Sequence, residues 1–261
     1  MAGVGISINK FKQRISSGQV LLGAGVTAGT VVADVLLRCQ ADWVFIDMET
    51  LPVTTLEVSH MLDLSLKADV PAMVRLNDHN PATIRQVLDA GASGVIAPMI
   101  NTAEQAKAIV QAAYYPPQGK RGLASGKRQG YSGGWDQARL LAENASVSVV
   151  LMIETQEGLH NIDAIAAQPG VDALFVGTGD LSASLGVLGQ PDSKEFDEAL
   201  VRVAEAAKRH QISLGGMVGN ESNYARLRAL GFTLLLAGLD LNWLQQAARQ
   251  RLGELKRWES T

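Results

Sequence analysis

Short runs of apolar and β-branched residues recur along the chain, at Leu21–Val26, Trp43–Asp47, Ala72–Leu76, Gly94–Pro98, Val149–Ile153, Ala173–Gly177, Ile212–Met217 and Thr233–Ala237. Continuous rather than alternating apolar runs mark strands buried on both faces, as in a parallel sheet covered by helices. The intervening segments place apolar residues three and four apart. They predict helices over Thr54–Lys67, Pro81–Ala90, Thr102–Ala112, Glu157–Ala167, Ser193–Arg209, Ser222–Leu230 and Leu241–Lys256. Ala90-Gly91-Ala92, Gln168-Pro169-Gly170 and Leu230-Gly231 supply helix stops just before strands. About eight strands alternating with helices, and no low-complexity linker, predict an α/β fold: a (β/α)₈ TIM barrel with residues 1–261 as a single domain. A doubly wound open sheet is the alternative. The stretch Tyr114–Asp136, rich in Gly, Pro, Lys and Arg, is too irregular for a plain connector, and loops of that length are usually functional.

Composition narrows the class of partner. The 261 residues carry 23 Lys plus Arg against 26 Asp plus Glu, a net charge of −3, which excludes a basic nucleic-acid footprint. With 47% hydrophobic and 19% charged residues the chain is globular rather than disordered. The lone Cys39 excludes an intrachain disulfide and a cysteine-built metal site, and it suits the cytoplasm. Met1–Arg14 lacks the apolar core of a signal peptide. The longest strongly apolar runs, Val147–Ile153 and Thr233–Leu236, fall far short of the ~20 residues of a membrane helix, so no membrane partner is expected.

A barrel gathers its chemistry at the carboxyl ends of its strands. Asp47 and Glu49 follow the second strand, Arg75 lies in the third, Glu154 follows the fifth and Asp180 the sixth. Singly, Glu154 and Asp180 read as solvated strand-end carboxylates. Together they read as hard oxygen ligands for Mg²⁺ or Mn²⁺, and no His or Cys beside them in sequence suggests a zinc-type site. Arg75, inside an apolar strand, is costly to bury unpaired. It is either a structural ion pair with Asp47 or Glu49 or a fixed cation for an oxyanion. Gly177-Thr178-Gly179-Asp180-Leu181-Ser182 runs from a strand into a helix start whose free N–H groups suit a substrate carboxylate. His60, His160 and His210 read as surface or satisfied side chains. His79, in Asn77-Asp78-His79-Asn80-Pro81, falls near the Arg75 rim, where a turn-capping role competes with a functional one.

Asp42-Trp43-Val44-Phe45-Ile46-Asp47-Met48-Glu49, Val74-Arg75, Tyr115-Pro116-Pro117-Gln118-Gly119-Lys120-Arg121-Gly122, Ile153-Glu154-Thr155 and Gly177-Thr178-Gly179-Asp180-Leu181-Ser182-Ala183-Ser184-Leu185-Gly186 resemble, in order and spacing, the metal-dependent class II pyruvate aldolases of the HpcH/HpaI family. The resemblance implies that Glu154 and Asp180 bind a divalent metal (Mg²⁺, Mn²⁺ or Co²⁺) and that Arg75 steadies a pyruvate enolate. It further implies that Ser125 and the backbone at Gly179 and Asp180 hold the pyruvate carboxylate, while Asp47 orients the catalytic base. Asp89 would reach into a neighbouring subunit's site, in a homohexamer with helices exchanged between partners.

One position departs from the family pattern, which reads Asp-x-Glu-His where this chain reads Asp47-Met48-Glu49-Thr50. A threonine hydroxyl is no base near pH 7, and a positioned base is worth ~10²–10⁴ in rate. Metal-bound water, Glu49, His79 or a buffer anion would have to substitute. The expected function is a metal-dependent carbon–carbon lyase that cleaves a 4-hydroxy-2-oxo acid reversibly into a 2-oxo acid and an aldehyde, with Thr50 on the acceptor side. Alternatives are decarboxylation of oxaloacetate, which needs no base, and a non-catalytic barrel that binds a 2-oxo acid. A coenzyme-A ester lyase is kept open by Lys120, Arg121, Lys127 and Arg128. Loops around Leu51-Pro52 and Tyr131–Trp135 are expected to shape the acceptor pocket.

Overall fold

A computed structural model describes residues 6–50 and 52–259, so Leu51 lies outside the described residues. The strands are β1 (Leu21–Val26), β2 (Trp43–Asp47), β3 (Ala72–Arg75), β4 (Gly94–Ala97), β5 (Ser148–Ile153), β6 (Ala173–Val176), β7 (Ser213–Met217) and β8 (Leu234–Leu239). They pair in parallel, in chain order, and close into a barrel. The closing seam registers Leu21 with Leu234 and Leu22 with Leu235, which excludes the open doubly wound sheet. Limits agree with the sequence expectation at β1 and β2 and differ by one or two residues elsewhere.

The helices around the barrel include α1 (Ile6–Ser16), α2 (Thr30–Leu37), α3 (Thr55–Ala68), α4 (Pro81–Asp89), α5 (Ala103–Ala113) and α6 (Gln137–Ser146). After β5 come α7 (Gln156–His160), α8 (Ile162–Ala166), α9 (Thr178–Ser184), α10 (Lys194–His210), α11 (Glu221–Ala229) and α12 (Asp240–Glu259). The helix expected over Glu157–Ala167 is two helices. They meet at Asn161, whose side-chain amide donates to the Asn101 carbonyl at 2.8 Å. Helices at the mouth have fixed starts: Thr54 with Glu57 and Thr102 with Gln105 form capping boxes, and Asn80 caps α4 with Pro81 at its first position. No helix among the described residues is long and apolar enough to cross a membrane.

Two apolar layers explain the unbroken strand patterns. Outward residues such as Val44, Val74, Val95 and Leu174 join the helices in one cluster. Inward residues, Leu21, Trp43, Phe45, Met73, Ile96, Val150, Met152, Phe175, Leu234 and Leu236, fill the barrel. Phe11 and Ile15 of α1 join the inward cluster, a role that the sequence pattern does not reveal. Gly23 is required beside them, since a Cβ there would lie 2.3 Å from the Trp43 indole.

Most of the stretch Tyr114–Asp136 is irregular, with one short 3₁₀ turn at Lys127–Gln129. Several of its polar groups are tied to the barrel. Tyr115 pairs through both backbone groups with the Asn144 side chain, and Arg128 donates to Glu143 at 2.8 Å and to the Ala92 carbonyl at 2.8 Å.

Candidate active site

Parity along the strands dictates what reaches the mouth. Side chains alternate between the two faces. The inward series Trp43–Phe45, Met73, Val150–Met152 and Ala173–Phe175 therefore continues at Asp47, Arg75, Glu154 and Gly177. Arg75, Glu154 and Gly177 line a cavity of about 250 Å³ together with Thr50, Gly179 and Asp180, floored by Phe45, Met152 and Phe175.

Arg75 is saturated on one side. Its Nε donates to Asp47 Oδ1 at 2.8 Å and its Nη2 to Asp47 Oδ2 at 2.6 Å, the two-point fork of a planar guanidinium on a carboxylate. Nη2 also donates to Thr50 Oγ1 at 2.6 Å, and Nη1 meets Glu49 Oε2 at 2.6 Å. A guanidinium has five N–H donors, so four are engaged and one on Nη1 remains. Asp47 is wholly buried and Glu49 is one-third exposed, which makes Asp47 the fixed partner and Glu49 the exchangeable one. Burial works to raise Asp47, but the hydrogen bonds and charge of Arg75 outweigh it and hold the carboxyl below the usual range. Glu49 is raised, by burial first and against Arg75, with Asp47 and Asp180 adding repulsion. Both partners offered for Arg75 by the sequence are thus engaged at once, and Thr50 uses its oxygen to accept from a cation.

Glu154 is 2% exposed. Its Oε2 accepts from the Met99 amide at 2.7 Å, and its Oε1 faces Gly177, where a Cβ would lie 2.2 Å away. Burial pushes this carboxyl up to about 7; the Met99 amide opposes the rise, and the charges of Glu49 and Asp180 reinforce it. Asp47, Glu49 and Glu154 thus share the guanidinium of Arg75, and the charge of Asp180 adds to that at Glu49 and Glu154. A buried carboxylate with surplus negative neighbours and no cation of its own suits a hard divalent ion, as does an all-oxygen donor pair. The residues present fit such an ion. Among the described residues no group of three or more His, Cys, Asp and Glu side chains is arranged to hold a metal.

Other expected residues lie elsewhere. Ser125 is exposed on the irregular loop and does not line the cavity. Asp89 ends α4 and pairs with Arg121 and, at 3.3 Å, with Arg85, in a separate cavity of about 670 Å³ between α4 and α5. The four loop cations kept in view for a nucleotide are mostly committed: Arg121 to Asp89, Lys127 to Asp63 at 2.8 Å and Arg128 to Glu143. His79 is half-buried, with Nε2 2.7 Å from the Pro98 carbonyl.

Two residues at the mouth escaped the sequence reading. Asp240, buried at the start of α12, accepts from the amides of Thr27 and Ala28, each at 2.8 Å, and from Thr27 Oγ1 at 2.5 Å. It ties the end of β1 to the start of α12. Met99 holds a left-handed φ of 53° while presenting its amide to Glu154. An acidic residue directly after the last apolar strand was a signal for the first; nothing in sequence marks the second.

The HpcH/HpaI aldolase/citrate lyase family model matches residues 27–247. A hydroxypyruvate/pyruvate aldolase of Paraburkholderia phytofirmans is 32% identical over 95% of this chain and 98% of its own length. A 4-hydroxy-2-oxovalerate aldolase of Novosphingobium aromaticivorans is 41% identical over 77% of this chain and 78% of its own. The crystal structure of an HpcH/HpaI aldolase/citrate lyase family protein from Burkholderia cenocepacia superposes with a TM-score of 0.87 and 33% identity, covering 95% of this chain and 99% of that one.

Proposed function

Because the chain belongs to the HpcH/HpaI aldolase/citrate lyase family and is an enzyme with lyase activity, we propose that it cleaves 4-hydroxy-2-oxo acids reversibly through a pyruvate-type enolate, with a divalent cation held by Glu154 and Asp180. The observation that carries this reading is the charge imbalance at the mouth. Glu154 is buried beside two further carboxylates, while Arg75, the one cation lining the cavity among the described residues, is turned to Asp47 and Glu49.

When bound, the cation supplies Lewis-acid polarisation of the 2-oxo group. The chain's own residues do the rest. Asp47 fixes the guanidinium plane of Arg75 by its two-point contact. The remaining Nη1 donor, and the one released if Glu49 swings away, are directed to the oxygen on which negative charge develops; one such donor is worth ~3 kcal/mol at the transition state. The amides of Gly179 and Asp180, in the first turn of α9, have no helical acceptor and suit the substrate carboxylate. Phe45, Met152 and Phe175 keep the floor dry.

Decarboxylation of oxaloacetate is the second reading, favoured by Thr50. Its oxygen accepts from Arg75, so its lone pairs are turned to a cation and its hydroxyl acts as a donor. Loss of CO₂ yields the enolate without a base, whereas aldol cleavage must remove the C4 hydroxyl proton. The assembly proposed is a homohexamer. Leu244, Leu252 and Trp258 leave much of α12 exposed, and Asp89 stands clear of its own chain's mouth, as a residue serving a neighbouring site would.

Chelator-treated protein assayed with pyruvate and a panel of aldehydes, with and without Mg²⁺, Mn²⁺ or Co²⁺, tests the main reading. Cation-dependent carbon–carbon bond formation, lost in Glu154→Gln, is expected. Absence of turnover with every cation refutes it.

A further inference from the structure

A single peptide unit joins two side chains that sequence places far apart. The carbonyl of Pro98 lies 2.7 Å from His79 Nε2, and the amide of Met99, the other half of the same peptide bond, donates to Glu154 Oε2 at 2.7 Å. A carbonyl oxygen has no proton to give, so Nε2 carries the hydrogen and donates it. The order is therefore imidazole N–H to carbonyl, then amide N–H to carboxylate. Hydrogen bonds in such a chain polarise one another in the same direction.

The unit is held in an unusual conformation. Met99 adopts φ 53°, a left-handed value that costs a side-chain-bearing residue energy and persists only where the surroundings impose it. Met99 is 43% exposed, so packing of its side chain does not explain the conformation. The backbone is held on both sides of it, by the two hydrogen bonds on the Pro98–Met99 peptide and by the Ile100 amide donating to the Met152 carbonyl at 3.3 Å. His79 itself is fixed from behind: the Asn80 amide donates to Asp78 Oδ1 at 3.0 Å, the Asn80 side chain caps α4 at the Ala82 amide at 2.9 Å, and Pro81 opens the helix.

We propose that His79 is a positioning residue for the Glu154 carboxylate, acting through the Pro98–Met99 peptide; this rests on the reading that Glu154 holds a cation. By clamping the Pro98 carbonyl, His79 aims the Met99 amide at Oε2 and leaves Oε1 directed along Gly177 into the cavity. The same contact removes Nε2 from proton transfer. A group that orients a ligand through a hydrogen bond is worth ~10–100-fold in metal affinity.

The test uses full-length protein, chelator-treated, with His79→Ala and His79→Gln, the latter retaining an N–H donor; circular dichroism and thermal melting report whether each variant is folded. The first readout needs no cation: hydrogen exchange of the Met99 amide is expected to accelerate about tenfold in His79→Ala and to return toward wild type in His79→Gln. The second is the Mn²⁺ dissociation constant by calorimetry, expected to weaken by ~10-fold or more in His79→Ala and to recover in His79→Gln. Unchanged Met99 exchange overturns the positioning role. So does unchanged Mn²⁺ affinity in His79→Ala when Glu154→Gln abolishes binding, and in that case the cation site itself stands. Mn²⁺ binding indifferent to Glu154→Gln removes the cation reading and this role with it.

Discussion

Replacing Glu154 by glutamine tests the charge argument before any substrate is added. In the cation-free protein, burial first, then the charges of Glu49 and Asp180, push this carboxyl from 4.5 up to about 7. At ~1.4 kcal/mol per pH unit that gap is worth about 3 kcal/mol. The folded chain retains a proton that the unfolded chain releases above pH 4.5, so this group's contribution to stability is full below 4.5 and is lost as pH rises to about 7. Glutamine keeps an oxygen for the Met99 amide and has no proton to lose. Measured with chelator by thermal melting at fixed protein concentration, Glu154→Gln should gain on wild type between pH 5 and pH 8. For a chain of this size about 3 kcal/mol corresponds to roughly 6–12 °C. Added Mn²⁺ at pH 8 should then raise the wild-type midpoint and leave the variant unmoved. A wild-type-to-variant difference that is the same at both pH values refutes the account of Glu154.

Three further outcomes follow from the geometry. Thr50→His should raise aldol cleavage by ~10²–10⁴ while leaving oxaloacetate decarboxylation unchanged, read from initial rates with both substrates; equal effects on the two would remove the missing-base argument. Gly177→Ala puts a Cβ 2.2 Å from Glu154 Oε1 and should weaken Mn²⁺ binding by ~10-fold or more in calorimetry without unfolding the barrel, so unaltered affinity would show that Oε1 is not the binding oxygen. Asp240→Ala strands the amides of Thr27 and Ala28 and should cost on the order of 3 kcal/mol in urea denaturation with cation affinity retained; a neutral result would show that the β1 to α12 tie is replaced by solvent.

The barrel was legible because most of its strand positions are buried on both faces, which leaves runs such as Trp43–Asp47 apolar up to the residue where chemistry begins. Position at the strand ends then gathered Asp47, Arg75 and Glu154 at one rim, and Arg75 and Glu154 line the cavity with Arg75 paired to Asp47. Helices α1, α2 and α6 carry weak periodic signals: among the described side chains of α1, Phe11 and Ile15 enter the inward cluster, and Thr30–Leu37 is β-branched enough to blur its period. The Asn161 contact to Asn101 joins residues 60 positions apart, and Asp240 binds Thr27 and Ala28, 213 and 212 positions away. Asp240 is marked by its place after the last strand, but the partners of neither residue have a local signature. Arg75 shows the same limit: its need for a partner was evident from its apolar strand, but that Asp47, Glu49 and Thr50 all take a share is a property of three-dimensional geometry. Ser125, carried by resemblance alone, lies outside the cavity of its own chain.

Anomalous diffraction from a crystal of the protein soaked with Mn²⁺ and pyruvate addresses the cation site without intermediaries. One ion per chain is expected, held by Glu154 and Asp180 in the cavity that Arg75 also lines. An ion bound elsewhere, or a mouth that takes up pyruvate with no ion at these two carboxylates, would contradict it.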